Sequence, residues 1–447
     1  MLSFLVCLNK PTVTGILCCS GKQYQDWTAD YRLYSQNRVD EQKCFNVVSN
    51  EVQSYLKPDE PFVVAMDDSL FRKTGKHIHG VKYLKDPLGP PFNVNLVLGQ
   101  RMLQLAGAVQ TQPGIARMIP IDFQQAPMPK KPKPKAPKEQ WDLYKQLDKQ
   151  ANINMLANRR IDALRQQLNH SKHPDRELIM CVDGRFTNGT VLKALPKYTT
   201  LIGRTRKDAK FSYPPGEQPA TGRKRSYGDE APTPEQIRQD TNIPYKKVKA
   251  FAAGKWHHFK VKIVKPLKWR KAGKHIQVQL MVIAPLGYRL RKGSKMLYRK
   301  PAYLICTDVN LSPEKLLQYY IWRWDIEVNF RDQKSLLGIG KAQVRNELST
   351  QTLPAIQVAT YSIALLAAIK TYGKNGSIDS IPLPKWRQKN LSQRMTTSSI
   401  INQLRLELWA GAIQKQSFYH FRNQKQNDVN SKKLEPSIQN ALFYTVA

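Results

Sequence analysis

Acidic residues are scarce in this chain of 447 residues: 34 Asp and Glu stand against 71 Lys and Arg, a formal net charge of +37. That balance excludes basic partners and favours a polyanion, either nucleic acid or an anionic membrane surface. Only six cysteines occur (Cys7, Cys18, Cys19, Cys44, Cys181 and Cys306), with no CxxC pair. Their scatter argues against a disulfide framework or zinc cage and fits a reducing cytosol. The histidine pairs His77/His79 and His257/His258 lack a second ligand pair at a familiar spacing. No apolar run reaches the ~20 residues of a membrane span. The opening stretch, Met1 to Leu8, stops at Asn9-Lys10-Pro11, and with no basic leader or small-residue cleavage pattern it does not read as a signal peptide. No internal repeat is visible. What the chain does have is 41% hydrophobic residues, enough for a sizeable core in one large or two ordinary domains.

The pattern divides the chain into five stretches. Residues 1–58 are predicted mainly helical, with Gln23 to Asn37 and Asp40 to Leu56 helix-compatible, a possible DNA-binding module or dimer contact. In 59–203, the run Phe62 to Met66 reads as a buried strand ending at Asp67-Asp68-Ser69. Strands are also expected over His77 to Leu84, Phe92 to Leu98 and Met102 to Val109, joined by turns such as Pro87-Leu88-Gly89-Pro90-Pro91. Residues 126–140, APMPKKPKPKAPKEQ, are expected to be an extended solvated linker. A helix is predicted from Trp141 to Leu168, with Ile161, Leu164 and Leu168 on one stripe. A second buried strand, Leu178 to Val182, ends at Asp183; a short helix (Asn188 to Leu195) and a strand (Thr199 to Gly203) follow. Residues 204–305 read as a β-rich insertion, with a flexible excursion over 213–244 and period-two alternation at Ile276 to Leu280. In 306–373, Ser312-Pro313-Glu314 is a helix start, and the helix should run to about Leu337 with Gly338 as its stop. An apolar helix over 353–372 follows, then a C-terminal region, 374–447, with a helix around Leu404 to Trp409. The fold class is therefore α/β. The element order is that of an RNase H-like core, a mixed sheet with flanking helices, interrupted by the β-rich insertion before its last main helix.

The positive charge is unevenly spread. Residues 204–305 carry 25 Lys/Arg and 6 Asp/Glu, about half of the net charge, and residues 241–307 hold 17 basic residues and no acid. The basic residues lie among strand-like runs rather than along one amphipathic helix, which disfavours a membrane binder.

Three carboxylates stand out. Asp67 and Asp183 each follow a buried strand, and Glu327 lies in the long predicted helix. On neighbouring strands the two aspartates would stand close together, and a helix packed across the sheet could bring Glu327 to the same point. Such an oxygen-rich cluster repels itself unless divalent cations such as Mg²⁺ or Mn²⁺ neutralise it. Two ions ~4 Å apart are the arrangement of two-metal phosphoryl transfer. Taken singly, Asp after a strand is an ordinary turn residue. Tyr320, Arg323, Glu327, Arg331 and Lys334 are spaced at three, four, four and three, so they share one helical face that could contact a phosphate backbone. The competing reading is a surface helix whose arginines pair with Glu327. Leu317, Ile321, Trp324 and Val328 form a separate stripe that can anchor the helix.

Tyr320, two residues, Arg323, three residues, Glu327, six residues, Lys334 matches the Y-(2)-R-(3)-E-(6)-K signature, and the chain here resembles the bacterial insertion-sequence DDE transposases. The segments before Asp67-x-Ser69 and Asp183, and the β-rich insertion, are similar to the same group; the resemblance covers roughly residues 60–372. It implies an RNase H-like catalytic core with Asp67, Asp183 and Glu327 as catalytic residues and ligands of two Mg²⁺ ions (Mn²⁺ as a substitute). It also implies that Tyr320, Arg323 and Lys334 contact end-of-element phosphates, with Arg331 beside them. The Asp-x-Ser pattern favours Asp67 over Asp68, which a one-residue slip would exchange. Some relatives stack an aromatic of the insertion on a flipped base; Trp256, Trp269 and Tyr298 are the candidates here, against the alternative of structural aromatics.

The expected activity is cut-and-paste transposition: metal-dependent DNA cleavage at element ends and transfer of the 3′-OH into target DNA. The expected partners are double-stranded DNA and a second copy of the chain, in a bacterial cytoplasm and on the nucleoid. A metal-dependent nuclease without strand transfer, or an inactive DNA-binding relative, are the alternatives.

Overall fold

The computed structural model describes residues 1–374 and 395–415 apart from positions 9, 87, 88, 90, 91, 93, 127, 219 and 220, with side chains to 409. Most of the expected C-terminal region and of the turn at Pro87 to Pro91 therefore lies outside the described residues. The chain opens with helices α1 (Leu2–Val6), α2 (Val13–Cys19), α3 (Thr28–Ser35) and α4 (Glu41–Ser54). Strands β1 (Phe62–Arg72), β2 (Lys82–Lys85), β3 (Leu96–Gln112) and β4 (Ile115–Gln125) follow, then α5 (Lys138–Gln150), α6 (Ile153–Asn169), β5 (Leu178–Val182), α7 (Gly189–Leu192) and β6 (Thr199–Arg204). Next come β7 (Phe211–Ser212), β8 (Glu230–Ala231), α8 (Pro234–Gln239), β9 (Lys246–Ala252), β10 (Lys255–Lys268), β11 (Gln277–Ile283), β12 (Gly287–Tyr288), β13 (Leu297–Tyr298) and β14 (Ala302–Cys306). The last elements are α9 (Pro313–Trp322), α10 (Asp325–Ser335), α11 (Glu347–Tyr372) and α12 (Thr397–Lys415).

The molecule is mixed α/β. One twelve-stranded sheet runs β2-β3-β1-β5-β6-β14-β11-β10-β7-β8; β4 pairs with β3 and β9 with β10, and β12 and β13 form a separate pair. β1, β5 and β6 are parallel, and the other pairings are antiparallel. The basic insertion joins the same sheet, because β14 returns from it to pair with β6.

The parallel register positions the site. Met66 lies opposite Val182 as the last pair of the β1–β5 ladder. The next residue on each strand is an aspartate, so Asp67 and Asp183 leave their apolar runs side by side, about one strand spacing (~4.8 Å) apart. The five residues before each are wholly or nearly buried, which holds both strands fast.

Several expectations change. β1 does not end at Asp67; it continues to Arg72 because β3 pairs with it from Asp67↔Gln104 to Arg72↔Gly99. The two strands expected at 92–98 and 102–109 are one, since Gly99, Gln100 and Arg101 stay in the ladder with β1. Of His77 to Leu84, only Lys82 onward is strand. β4 is not among the expected strands: its Arg117 and Asp122 break the apolar pattern, yet both are buried, Asp122 against Arg160 at 2.6 Å and Arg117 donating to the Met395 carbonyl at 2.7 Å. The helix expected over 141–168 is two, separated at Asn152, whose side chain caps α6. The stripe Ile161, Leu164, Leu168 is buried as expected. The excursion at 213–244 holds β8 and α8, whose Thr233 and Gln236 form a reciprocal cap.

The helix expected over 312–337 is broken between α9 and α10. Trp324, Ile326 and Glu327 donate to carbonyls three residues back rather than four, a tightened turn. The Asp325 side chain is drawn to the backbone N–H of Met118 in β4 at 2.9 Å. The tightening turns Trp324 outward, 63% exposed, so it is no part of the anchoring stripe. Leu316, Leu317, Ile326 and Phe330 are buried in its place. α11 begins at Glu347, earlier than expected. Among the described residues it is the one helix long and apolar enough to cross a membrane, and 78% of that apolar window is buried within the molecule.

Candidate active site

Asp67, Asp183, Glu327 and Lys334 line one cleft of about 930 Å³ along the second half of β1 and beyond the end of β5. The side chain of Asp67 is largely buried. Burial and the neighbouring Asp183 push its carboxyl up to about 7, against the opposing pull of Arg323. Its Oδ1 accepts from the Asp68 N–H at 2.8 Å. Asp183 caps the turn that follows β5, with Oδ1 accepting from the Arg185 N–H at 2.9 Å.

Arg323 is buried between two of the acids. Its Nη1 donates to Asp67 Oδ2 at 3.1 Å and its Nη2 to Glu327 Oε1 at 2.8 Å. Its Nε is buried without a partner, and the guanidinium lies 5.6 Å from the centre of the Tyr320 ring. Tyr320 and Arg323 thus stand beside the carboxylates. Lys334 Nζ donates to Ser69 Oγ at 2.6 Å and lies 5.1 Å from the centre of the Phe71 ring. Burial, with Arg72 nearby, lowers its pKa. Arg331 does not join this group: it pairs with Asp332 at 3.0 Å and lines a smaller cavity with Arg117 and Asn329. Of the five residues placed on one face of a straight helix, Glu327 and Lys334 line the cleft, Arg331 lines the other cavity, and Tyr320 and Arg323 are packed behind the carboxylates.

Asp67 and Asp68 are treated differently. Asp68 is held by Arg185 at 2.8 Å and Arg101 at 3.5 Å, while Asp67 faces Asp183 and Arg323. Sequence reasoning does not single out Arg185 or Arg101. The signals for them are an arginine two residues beyond Asp183 and a polar pair, Gln100-Arg101, inside a long apolar run. Arg72, Lys85 and Lys341 add cations to the cleft wall. Lys341 is carried by a loop that Lys73 ties down: the Lys73 ammonium donates to the carbonyls of Gly340 and Ala342, each at 2.7 Å. Burial lowers Lys73 to about 8.

The aromatics of the insertion differ among themselves. Trp269 is buried against Phe211, Trp256 is 46% exposed on β10, and Tyr298 is 69% exposed on β13. Among the described residues, no three His, Cys, Asp or Glu side chains already enclose a metal position, and Arg323 fills the space between Asp67 and Glu327. No protein-family model matches the chain, and comparison with curated proteins gives no match.

Proposed function

We propose that this chain is a DDE-type DNA transposase of an insertion sequence, which cuts DNA at element ends and joins the freed 3′-OH to target DNA. The observation that carries this reading is the convergence of Asp67, Asp183, Glu327 and Lys334 on one cleft from β1, the end of β5, and α10. The sheet order supports an RNase H-like core: β3 and β4 antiparallel on one side of β1, β5 and β6 parallel on the other, and α10 carrying the third acid.

A pair of Mg²⁺ ions is implied, and the donor set fits it. All three side chains offer oxygen, the preference of hard divalent cations. Burial and the adjacent Asp183 both disfavour a charged Asp67, and a cation between the two acids would relieve the second. Arg323 is the counter-charge there, and a bound ion would take over that part. Held by Asp67, Asp183 and Glu327, the ions would supply an activated oxygen nucleophile and stabilise the leaving oxygen.

The chain's own residues prepare the rest. The sheet holds Asp67 and Asp183 in step, so neither side chain needs ordering when substrate arrives. Arg101 and Arg185 neutralise Asp68, which keeps a fourth negative charge from opposing the phosphate. Lys334, steadied by Ser69 and Phe71, presents an ammonium at the cleft for a phosphate oxygen. Lys85 and Lys341 extend that positive wall, while Arg72 beside them is paired with Asp86 at 2.6 Å. Two element ends must be held at once, so a dimer on DNA is the working assembly, acting on the nucleoid of a bacterial cytoplasm.

The test mixes purified protein, Mg²⁺ and labelled duplexes taken from the DNA that flanks the gene on either side. The parent should nick the end and produce joined products. Asp183→Ala and Glu327→Ala should yield neither, and parent-level cleavage by either variant refutes the assignment. Cutting without joining would mark a nuclease, and magnesium-independent binding without products an inactive DNA-binding relative.

A further inference from the structure

β9 and β10 form a two-stranded ribbon within the insertion, its turn end set beside the β3–β4 turn. Its turn is Ala253-Gly254, both with positive φ (49° and 82°), the geometry of a two-residue hairpin. The cross-strand pairs are Phe251↔Trp256, Lys249↔His258 and Lys247↔Lys260. Directly opposed residues share a face, so these six side chains lie on one side. The other side is occupied by the fold: Val248, Ala250 and Val261 are buried. Gln318 of α9 bonds the Phe251 backbone through both its N–H and its carbonyl.

The turn end of the outward face is occupied too, with Phe251 and Trp256 against Gly114 between β3 and β4, but the lysines further along stand exposed. Lys247, Lys249, Trp256, His258 and Lys260 are all exposed. None of the three lysines forms an ion pair among the described residues. The Lys249 ammonium lies over the Trp256 ring, 5.0 Å from its centre. Lys247 and Lys260 are directly opposite, an arrangement of like charges that destabilises an antiparallel pair. No acid between 241 and 307 relieves it.

Lys262, two residues along β10 from Lys260, shows how a lysine with a structural task is arranged. It is 3% exposed, and its ammonium donates to the carbonyls of Ile237, Arg238 and Asp240 at the end of α8. The outward lysines do nothing comparable for the fold, and their charges act against it. A row of repelling cations is relieved by a partner that carries closely spaced negative charges.

We propose that the outward face of this ribbon is a second DNA contact, separate from the acidic cleft, which grips the phosphate backbone of a duplex through Lys247, Lys249 and Lys260. None of these residues lines the cleft. The contact goes beyond the proposed activity and holds whether or not the cleft cuts DNA. Because it reads phosphates rather than base edges, it is indifferent to sequence.

The test uses the full chain and a random-sequence duplex in magnesium-free buffer, so catalysis does not enter. The triple variant Lys247→Ala, Lys249→Ala, Lys260→Ala should bind at least tenfold more weakly at 0.1 M salt. Its log-log salt dependence should be flatter by about three units, ~0.9 for each phosphate left without its lysine. Lys260→Glu sets a carboxylate opposite Lys247; it should raise the melting temperature and weaken DNA binding together, the pattern of a face that sacrifices stability for a partner. A triple variant that melts like the parent and keeps its affinity and salt slope overturns the proposal. So does a Lys260→Glu protein that melts lower yet binds DNA as the parent does. Binding to phosphatidylserine vesicles that falls in the triple variant, with DNA affinity unchanged, would assign the face to a membrane and overturn it equally.

Discussion

Replacing Asp67 by Asn should stabilise the protein while abolishing its activity, and only within a defined range of pH. The Asp67 carboxyl stands at about 7 in the folded chain against its ordinary 3.8, through burial and the charge of Asp183. A carboxyl raised on folding binds a proton that the unfolded chain has already released. Stability from this group is therefore fully present below pH ~4, declines by about 1.4 kcal/mol per pH unit above it, and is lost above pH ~7. The accumulated penalty is about 4 kcal/mol, an upper estimate because the structure relaxes around the charge. Asn keeps the shape, does not titrate, and can still accept from Arg323. Urea denaturation of parent and Asp67→Asn from pH 5 to 8.5 should give curves that diverge as pH rises and run parallel above pH ~7.5. Saturating Mg²⁺ should narrow the gap by stabilising the parent alone, by about 2.7 kcal/mol at a hundred times its Kd. A pH-independent difference, or a variant less stable than the parent at pH 8, would refute the placement of Asp67 against Asp183.

Three further outcomes can be measured separately. Lys334→Ala should weaken binding of an element-end duplex and flatten its salt slope by about one unit, without altering binding through the ribbon. Lys262→Met should cost about 2 kcal/mol in urea denaturation, since three carbonyls at the end of α8 lose the ammonium that binds them together. Gly340→Ala should destabilise the chain by about 1–3 kcal/mol, because Gly340 has φ of +88° and an added Cβ would run into the Phe71 ring; circular dichroism on heating would detect the loss.

The two strands that lead to Asp67 and Asp183 were legible because their pattern is local. Five apolar residues followed by an aspartate read the same way at Phe62 and at Leu178, and both runs are buried strands. The cap at Ser312 and the stripe on α6 were legible for the same reason. What could not be read depends on partners distant in sequence. β4 is a strand despite Arg117 and Asp122 because residues in α6 and before α12 satisfy those side chains. The break at Arg323-Trp324 arises where Asp325 reaches the backbone of β4, and nothing in the 3.6-residue period announces it. Arg323 itself had two readings on its helix, a phosphate contact or a partner of Glu327. The structure gives it Glu327 at i+4 and also Asp67, 256 residues away. Arg331, placed on the same face by spacing alone, is turned to another cavity by that break.

The pairing of Met66 with Val182 has a consequence for how this gene can vary. The 116 steps of chain from Asp67 to Asp183 include a proline-rich linker and two helices, and their length has no bearing on where the two carboxylates meet. Residues can be added or lost in the linker without moving either acid, whereas β3, which pairs with β1 from Asp67 onward, must stay. A single residue added within Phe62–Met66 or Leu178–Val182 would turn its aspartate to the opposite face of the sheet and put a neighbour in its place. Tolerance of insertions should therefore fall from nearly free in the linker to none within these two five-residue runs, a contrast that a scan of one-residue insertions scored by folding and by the proposed DNA cleavage would display.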